Sequence, residues 1–235
     1  MSTRRLFTAN AAIVAVVFLS AAPGCRDSKP SPAGGDTPLS AVLRAMTPAA
    51  QIDTLRTLVA ADSNDAQLAF LTGNAYYSFG AELGSAERTR AIAYFDSATA
   101  SYRRAVEIDS TLSKAWVNMG LAHQDAGKGL EARKAFRRAI AVNPDDVLAY
   151  CHLGYVEQSA GNVAAAIEQY QKALAIDPNS AQAHYNLGLA FADAKIFKEA
   201  LLEWETVIRL DPDGDLGKTA AENVKIIRQY LEVKP

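Results

Sequence analysis

The residues of this chain that could carry out chemistry are three histidines and two cysteines. Histidine can ligate metals, but no cysteine or carboxylate accompanies a histidine here at the spacing that metal sites use. A cysteine nucleophile needs an activating base, and the His152 imidazole beside Cys151 would point away from it on a helix. The pattern therefore predicts no catalytic residue, no metal site and no cofactor. The residues concerned are Cys25, His123, Cys151, His152 and His184.

Glycine-rich segments could hold a phosphate, but the two candidates in this chain read as turns. Gly84-Ser85 and Gly127-Lys128-Gly129 each interrupt an apolar periodic run, which is typical of a helix end. After the leader, the tether and the repeats described below are subtracted, no segment of catalytic-domain size remains. We therefore expect that the protein is not an enzyme.

The composition predicts a folded globular chain with a mildly acidic body. Hydrophobic residues make up 49% and charged residues 21% of the 235 residues, and the formal net charge is −2. Removal of residues 1–24 would delete two arginines and no acids, leaving 22 − 26 = −4. Nucleic-acid binding needs a basic surface, so we expect no nucleic-acid partner. The pairs Arg103-Arg104 and Arg137-Arg138 are interpreted as solvated convex faces.

A spacing of 34 residues recurs through the second half of the chain and predicts its architecture. Five columns of similar residues share this register, and such a period indicates stacked supersecondary units. The columns are Trp116, Tyr150 and His184; Gly120, Gly154 and Gly188; Ala132, Ala166 and Ala200; Phe136, Tyr170 and Trp204; and Pro144, Pro178 and Pro212.

Each period reads as two amphipathic helices joined by a short turn. In the first period, the spacing predicts helices over 115–126 and 130–142, separated by Gly127. Pro144 ends the second helix because proline cannot continue it. Gly120 and Ala132 would let the two backbones approach closely, while Phe136 fills the space around that contact.

These columns resemble the tetratricopeptide repeat family over residues 113–146, 147–180 and 181–214. The departures are mild: Lys195, for example, stands where the turn usually has glycine. The resemblance implies an all-α fold, a right-handed α-solenoid of helix-turn-helix hairpins, whose activity is to hold another chain.

The remaining segments extend this array on both sides. Residues 66–112 match a further repeat that carries 13 extra residues, and we expect these to lengthen a second helix capped by Ser85 and running to about Ile108. Residues 41–65 resemble a degenerate half-repeat whose helix opens at Thr47-Pro48 and ends near Ala61. Residues 215–235 read as a C-terminal capping helix with a polar outer face, from about Lys218 to Val233.

The N-terminus reads as an export signal. Arg4 and Arg5 precede a short apolar run that ends in small residues, so residues 1–24 are interpreted as a signal peptide. Cys25 follows directly and resembles the lipidated cysteine of bacterial lipoproteins. Residues 25–40 would then be the lipidated cysteine with a flexible Pro/Gly/Ser-rich tether. This resemblance implies an exported, membrane-anchored protein on the periplasmic face of the bacterial outer membrane.

The family resemblance also implies a concave groove lined by the first helix of each hairpin. Its apolar and aromatic members predict an exposed patch for an apolar or amphipathic protein segment. The alternative is that the first or the C-terminal helix folds over these residues and buries them. The implied groove residues are Phe70, Asn74, Tyr77, Lys114, Val117, Leu121, Gln124, Asp125, Leu148, Cys151, Tyr155, Gln158, Gln182, Tyr185, Leu189 and Asp193.

Two functions remain open on the sequence. The first is a non-enzymatic scaffold or adaptor lipoprotein that binds a protein or peptide in its groove during cell-envelope assembly or regulation. The alternative is a structural, self-assembling envelope protein, in which the extended helix 85–108 mediates a homodimer.

Overall fold

The computed structural model describes residues 38–233, which form eleven α-helices and no strand. The predicted signal peptide, Cys25 and most of the tether lie outside the described residues. The helices are α1 Pro38–Arg44, α2 Pro48–Ala61, α3 Ala66–Leu83, α4 Arg88–Ile108, α5 Ser113–Asp125, α6 Gly129–Val142, α7 Val147–Ser159, α8 Val163–Ile176, α9 Ala181–Asp193, α10 Phe197–Leu210 and α11 Asp215–Val233.

The described helices fall into two compact units with a boundary after Val156, inside α7. In the N-terminal unit, α2 packs on α3, α3 on α4, α4 on α5, and α5 on α6. In the C-terminal unit, α8 packs on α9, α9 on α10, and α11 on α10 and α9. The predicted all-α fold of successive helix pairs is confirmed in each unit.

Glycine and aromatic residues form the closest contact within the hairpins, as the columns predicted. A Cβ atom added to Gly120 on α5 would lie 2.5 Å from the Phe136 ring on α6. At Gly188 on α9, it would lie 2.5 Å from the indole of Trp204 on α10. Phe136 and Trp204 are fully buried. Only a residue without a side chain therefore fits beneath each ring.

The turns between paired helices use the left-handed conformation that glycine favours. Gly127 and Gly161 adopt φ values of 78° and 82°. Lys195 adopts φ 62° at the equivalent place, although it carries a side chain. The Ile196 amide donates to the Phe191 carbonyl at 2.8 Å, matching the Lys128 to His123 bond in the first repeat. The third hairpin thus keeps the turn geometry without its glycine.

The prediction for the 13 extra residues of the 66–112 unit was partly wrong. α3 has 18 residues and α4 has 21, against 13 in α5 and 14 in α6. Five extra residues therefore lengthen the first helix, seven lengthen the second, and one lies in the loop. Ser85 is not the cap: α4 begins after Glu87, which makes no side-chain capping bond.

The outer helices agree more closely with expectation. Thr47 caps α2 by accepting from the Ala50 amide at 3.4 Å, and α2 ends at Ala61. The C-terminal helix α11 starts at Asp215, three residues earlier than expected. Its Val224 and Ile227 are buried while Lys225 and Arg228 are exposed, as the sequence predicted. Leu231, which was also expected to point inward, is 40% exposed because it lies in the last turn of the helix.

Candidate functional site

The apolar members of the implied groove are mostly buried, so the expected exposed apolar patch is wrong. Phe70, Val117 and Leu121 are 1%, 7% and 3% exposed. They belong to one core cluster of the N-terminal unit, in which the Phe70 and Tyr102 rings lie 5.9 Å apart. Cys151 is also buried. The physical reason is that these positions pack against the neighbouring helices rather than facing solvent.

Tyr77 is buried as well, but its hydroxyl joins two successive first helices. It donates a 2.5 Å hydrogen bond to Oδ2 of Asp125, and its ring lies 5.4 Å from that of Phe95. Burial has the largest effect in raising the pKa of Tyr77, and the negative charge of Asp125 raises it further. The phenol therefore stays protonated and remains a donor to the carboxylate.

Apart from the half-buried Asn74, five implied groove residues of the N-terminal unit reach the surface. Lys114 is exposed, and Leu148 is 51% exposed, one 34-residue period further along the chain. Gln124, Asp125 and Tyr155 are half-buried. The accessible face of these first helices is therefore mainly polar, with Leu148 and Tyr155 as its apolar members.

Asn74 belongs to a buried polar network that the sequence did not reveal. Its Oδ1 atom accepts from the Tyr102 hydroxyl at 2.8 Å and from Asn118 Nδ2 at 2.9 Å. Asn118 is fully buried. One feature of the sequence could have indicated this network. Tyr102 lies one period before Phe136 in the aromatic column, and a buried tyrosine hydroxyl requires a hydrogen-bond partner.

In the C-terminal unit, the implied groove residues divide in the same way. Tyr185 and Leu189 are 0% and 6% exposed, whereas Gln182 and Asp193 are half-buried. Asn223 of α11 donates to the Tyr185 hydroxyl at 3.3 Å. At Tyr185, therefore, the C-terminal helix lies against the implied groove position.

The polar implied groove residues of this unit are Gln158, Gln182 and Asp193, and all three make side-chain hydrogen bonds. The Gln158 amide donates to Asp193 Oδ2, and Gln158 Oε1 accepts from the Tyr170 hydroxyl at 3.1 Å. Gln182 Nε2 donates to Asn186 Oδ1 at 3.0 Å. Burial raises the pKa of Asp193, and the hydrogen bond from Gln158 opposes that effect. These side chains are held in fixed positions by their bonds.

The histidines occupy structural places. His152 is 1% exposed and stacks on Phe136, with ring centroids 5.3 Å apart. His184 uses both ring nitrogens: Nδ1 lies 2.6 Å from Glu203 Oε2 and Nε2 lies 3.0 Å from the Pro178 carbonyl. Among residues 38–233, no group of three or more His, Cys, Asp or Glu side chains could hold a metal ion.

Family models match the chain in two places. A tetratricopeptide repeat model matches residues 113–146, and a second model, described as TPR repeat, matches residues 155–194. These two segments therefore match tetratricopeptide repeats. The first match has the bounds of the 34-residue period identified in the sequence.

Solved structures of MamA resemble a larger share of the chain. A crystal structure of MamA is 26% identical, with a TM-score of 0.59, over 68% of this chain and 86% of that chain. A MamA fragment from Desulfovibrio magneticus RS-1 has a TM-score of 0.60 at 23% identity, over 74% of this chain and 92% of that chain. No curated protein sequence matches the chain. Within the described part of the chain, no helix is both long and apolar enough to cross a membrane.

Proposed function

We propose that the protein is a non-enzymatic scaffold that binds another protein through the surface of its first helices. The observation that carries the proposal is the polar face of the N-terminal unit, where Gln124, Asp125 and Tyr155 are half-buried and Lys114 and Leu148 are exposed. All five occupy groove positions of the tetratricopeptide repeat. A surface that combines charged, amide and aromatic groups suits recognition of a peptide segment.

The hydrogen bonds beneath this face would pre-organise it. Asp125 is held by the Tyr77 hydroxyl at 2.5 Å, so its carboxylate does not have to be ordered when a partner arrives. In the C-terminal unit, Gln158 holds Asp193 in the same manner. The buried apolar positions favour a partner that is recognised mainly by hydrogen bonds and charge, with one apolar contact at Leu148 and Tyr155.

Export and anchoring complete the proposal. Cys25 would carry the lipid, and the Pro/Gly/Ser-rich tether would separate the repeats from the membrane by roughly 20–25 Å. The location would be the periplasmic face of the outer membrane, with a role in envelope assembly or regulation. Cys25→Ser should release the protein from the membrane fraction of cells, and full retention of the variant would contradict the anchor.

A site-specific photo-cross-linker tests the binding face directly. Placed at Leu148 in the full chain, it should give a discrete adduct with one partner protein in cells. The matched control places the same cross-linker at Leu202, which is 63% exposed and lies on α10, the second helix of its hairpin. Leu148→Asp should abolish capture of that partner, whereas Leu202→Asp should leave it unchanged. Equal adducts at both positions, or none at position 148, would reject the face.

Self-association is the competing function, and the same experiment separates it. A cross-link at position 148 between two copies of this chain, together with a dimeric mass in solution, would favour the structural assembly. A monomer that cross-links to a different protein would favour the scaffold.

A further inference from the structure

Exposed basic side chains on two neighbouring second helices form what we call the basic patch of the N-terminal unit. All of its members are exposed. The patch contains Arg103 and Arg104 on α4 and Lys134, Arg137 and Arg138 on α6.

A salt bridge sets the relative level of these two helices. Lys128 Nζ, at the start of α6, lies 2.5 Å from Asp96 Oδ1 on α4. Both helices pack on α5, and the short connections on either side of α5 make α4 and α6 run in the same direction. Arg103 is seven residues beyond Asp96, and Arg137 is nine residues beyond Lys128. At about 1.5 Å per residue, the two arginine pairs therefore lie at a similar height on adjacent helices.

Apolar side chains accompany the cations on the outer face of α6. Leu130 is 65% exposed, and Lys134 and Arg138 follow it at intervals of four residues, so all three share one helix face. Val142, at the end of the same helix, is 38% exposed. An exposed helix face that combines Lys and Arg with Leu is typical of segments that lie on a membrane surface.

The patch is a local departure from the charge of the whole chain. Its five cations are accompanied by two exposed carboxylates on the same helices, Glu107 and Glu131, which leaves a local charge of 5 − 2 = +3. The remainder of the chain then carries −2 − 3 = −5. Glu107 lies 3.9 Å from Arg104, which also donates to the Ser63 carbonyl at 3.2 Å. Exposed contacts of this kind leave the guanidinium open to solvent and neutralise little of its charge.

We propose that the basic patch binds the phosphate groups of an anionic lipid surface. Arginine suits this role because its planar guanidinium donates two parallel hydrogen bonds to a phosphate. Leu130 and Val142 would enter the boundary between head groups and acyl chains. The proposal rests on the proposed function in one respect, since the Cys25 lipid would hold the patch within reach of such a surface. Binding through the basic patch would also orient the second helices of the N-terminal unit towards the membrane.

Vesicle binding by the full chain with Cys25→Ser tests the patch without the lipid anchor. The probes are vesicles of phosphatidylcholine alone and vesicles in which about a third of the lipid is phosphatidylglycerol. The test variant replaces Arg103, Arg104, Arg137 and Arg138 with glutamine. The matched control replaces the exposed Lys172, Lys198, Lys218 and Lys225 with glutamine, which lowers the net charge equally but outside the patch.

The ratio of binding to anionic over neutral vesicles should fall by roughly tenfold or more in the patch variant and by less than about threefold in the control. High salt should remove the same component, because it screens exposed charges. Equal losses in both variants would overturn the proposal, and so would an unchanged ratio in the patch variant. Binding of polyglutamate without binding to anionic vesicles would assign the patch to an acidic protein instead. None of these outcomes depends on the partner cross-link at Leu148 or on lipidation, so failure here is distinguishable from failure of the proposed function.

Discussion

The Tyr77 hydroxyl and the Asp125 carboxylate, 48 residues apart, are joined by a 2.5 Å hydrogen bond between successive first helices. The Gln158 amide and the Asp193 carboxylate make the corresponding bond in the C-terminal unit. When the repeats are aligned, Tyr77 and Gln158 occupy one position and Asp125 and Asp193 occupy the next. The same inter-repeat contact is thus made by a phenol in one unit and an amide in the other.

Removal of the Tyr77 hydroxyl should destabilise the N-terminal unit. Tyr77→Phe keeps the buried ring but leaves a half-buried carboxylate without this donor, and we expect a loss of about 1–2 kcal/mol. The midpoint of urea unfolding measures the effect. Tyr155→Phe is the control, because the Tyr155 hydroxyl makes no hydrogen bond within residues 38–233. A loss that is equal in both variants would mean that the Asp125 bond contributes nothing specific.

The glycine beneath each aromatic ring should not tolerate a methyl group. Gly120→Ala would place Cβ 2.5 Å from the buried Phe136 ring, so we expect a loss of roughly 1–3 kcal/mol. Gly129→Ala is the matched control, since an added Cβ there meets no atom within 4 Å. That change should be neutral or slightly stabilising, because alanine favours the helix more than glycine does. Thermal unfolding of both variants checks the contrast, and equal stabilities would contradict the packing explanation.

The paired helices and the Gly120–Phe136 contact could be predicted from the sequence because they depend on local periodicity and on one repeated register. The tetratricopeptide repeat model matches residues 113–146 because it depends on the same repeated register. The spacing alone could not divide the 13 extra residues between α3 and α4. An insertion that keeps the apolar stripe of one helix leaves its partner free to lengthen as well.

The candidate site was less predictable, because exposure depends on how deeply neighbouring helices pack. Val117 and Leu121 occupy groove positions in the aligned repeat, yet contacts within the core cluster leave them 7% and 3% exposed. Leu148, at a groove position one period later than Lys114, remains 51% exposed. Nothing in the residue types distinguishes Leu121 from Leu148. The distinction comes from tertiary contacts.

Lys195 should be replaceable by glycine with a gain in stability. Its φ of 62° lies in the left-handed region, where a side chain is disfavoured by about 1–2 kcal/mol. Glycine avoids this cost, but it loses more conformational entropy on folding, which offsets part of the gain. The net effect of Lys195→Gly should therefore be to stabilise the C-terminal unit by roughly 0.5–1 kcal/mol. The reciprocal change, Gly161→Lys at φ 82°, should destabilise by a similar amount. Chemical denaturation of the two variants tests the pair, and the same sign for both would refute the explanation.

His152 should make the stability of the N-terminal unit depend on pH. Burial lowers the pKa of His152 from 6.5 to about 4, so the folded protein keeps this imidazole neutral while the unfolded chain can protonate it. Between those two values the unfolded state binds more protons. Stability should therefore fall as the pH drops from about 6.5 towards 4, by roughly 3 kcal/mol in total.

His152→Asn is the informative variant for this effect, because Asn118 and Asn186 stand at the equivalent position of the neighbouring repeats. It removes the titrating ring and the stack on Phe136, so its stability at pH 7 should be lower than that of the parent. Its urea midpoint should nevertheless change much less between pH 7 and pH 4. A smaller slope should remain, because burial also lowers the pKa of His123. If parent and variant lose stability equally over this range, His152 is not the group responsible.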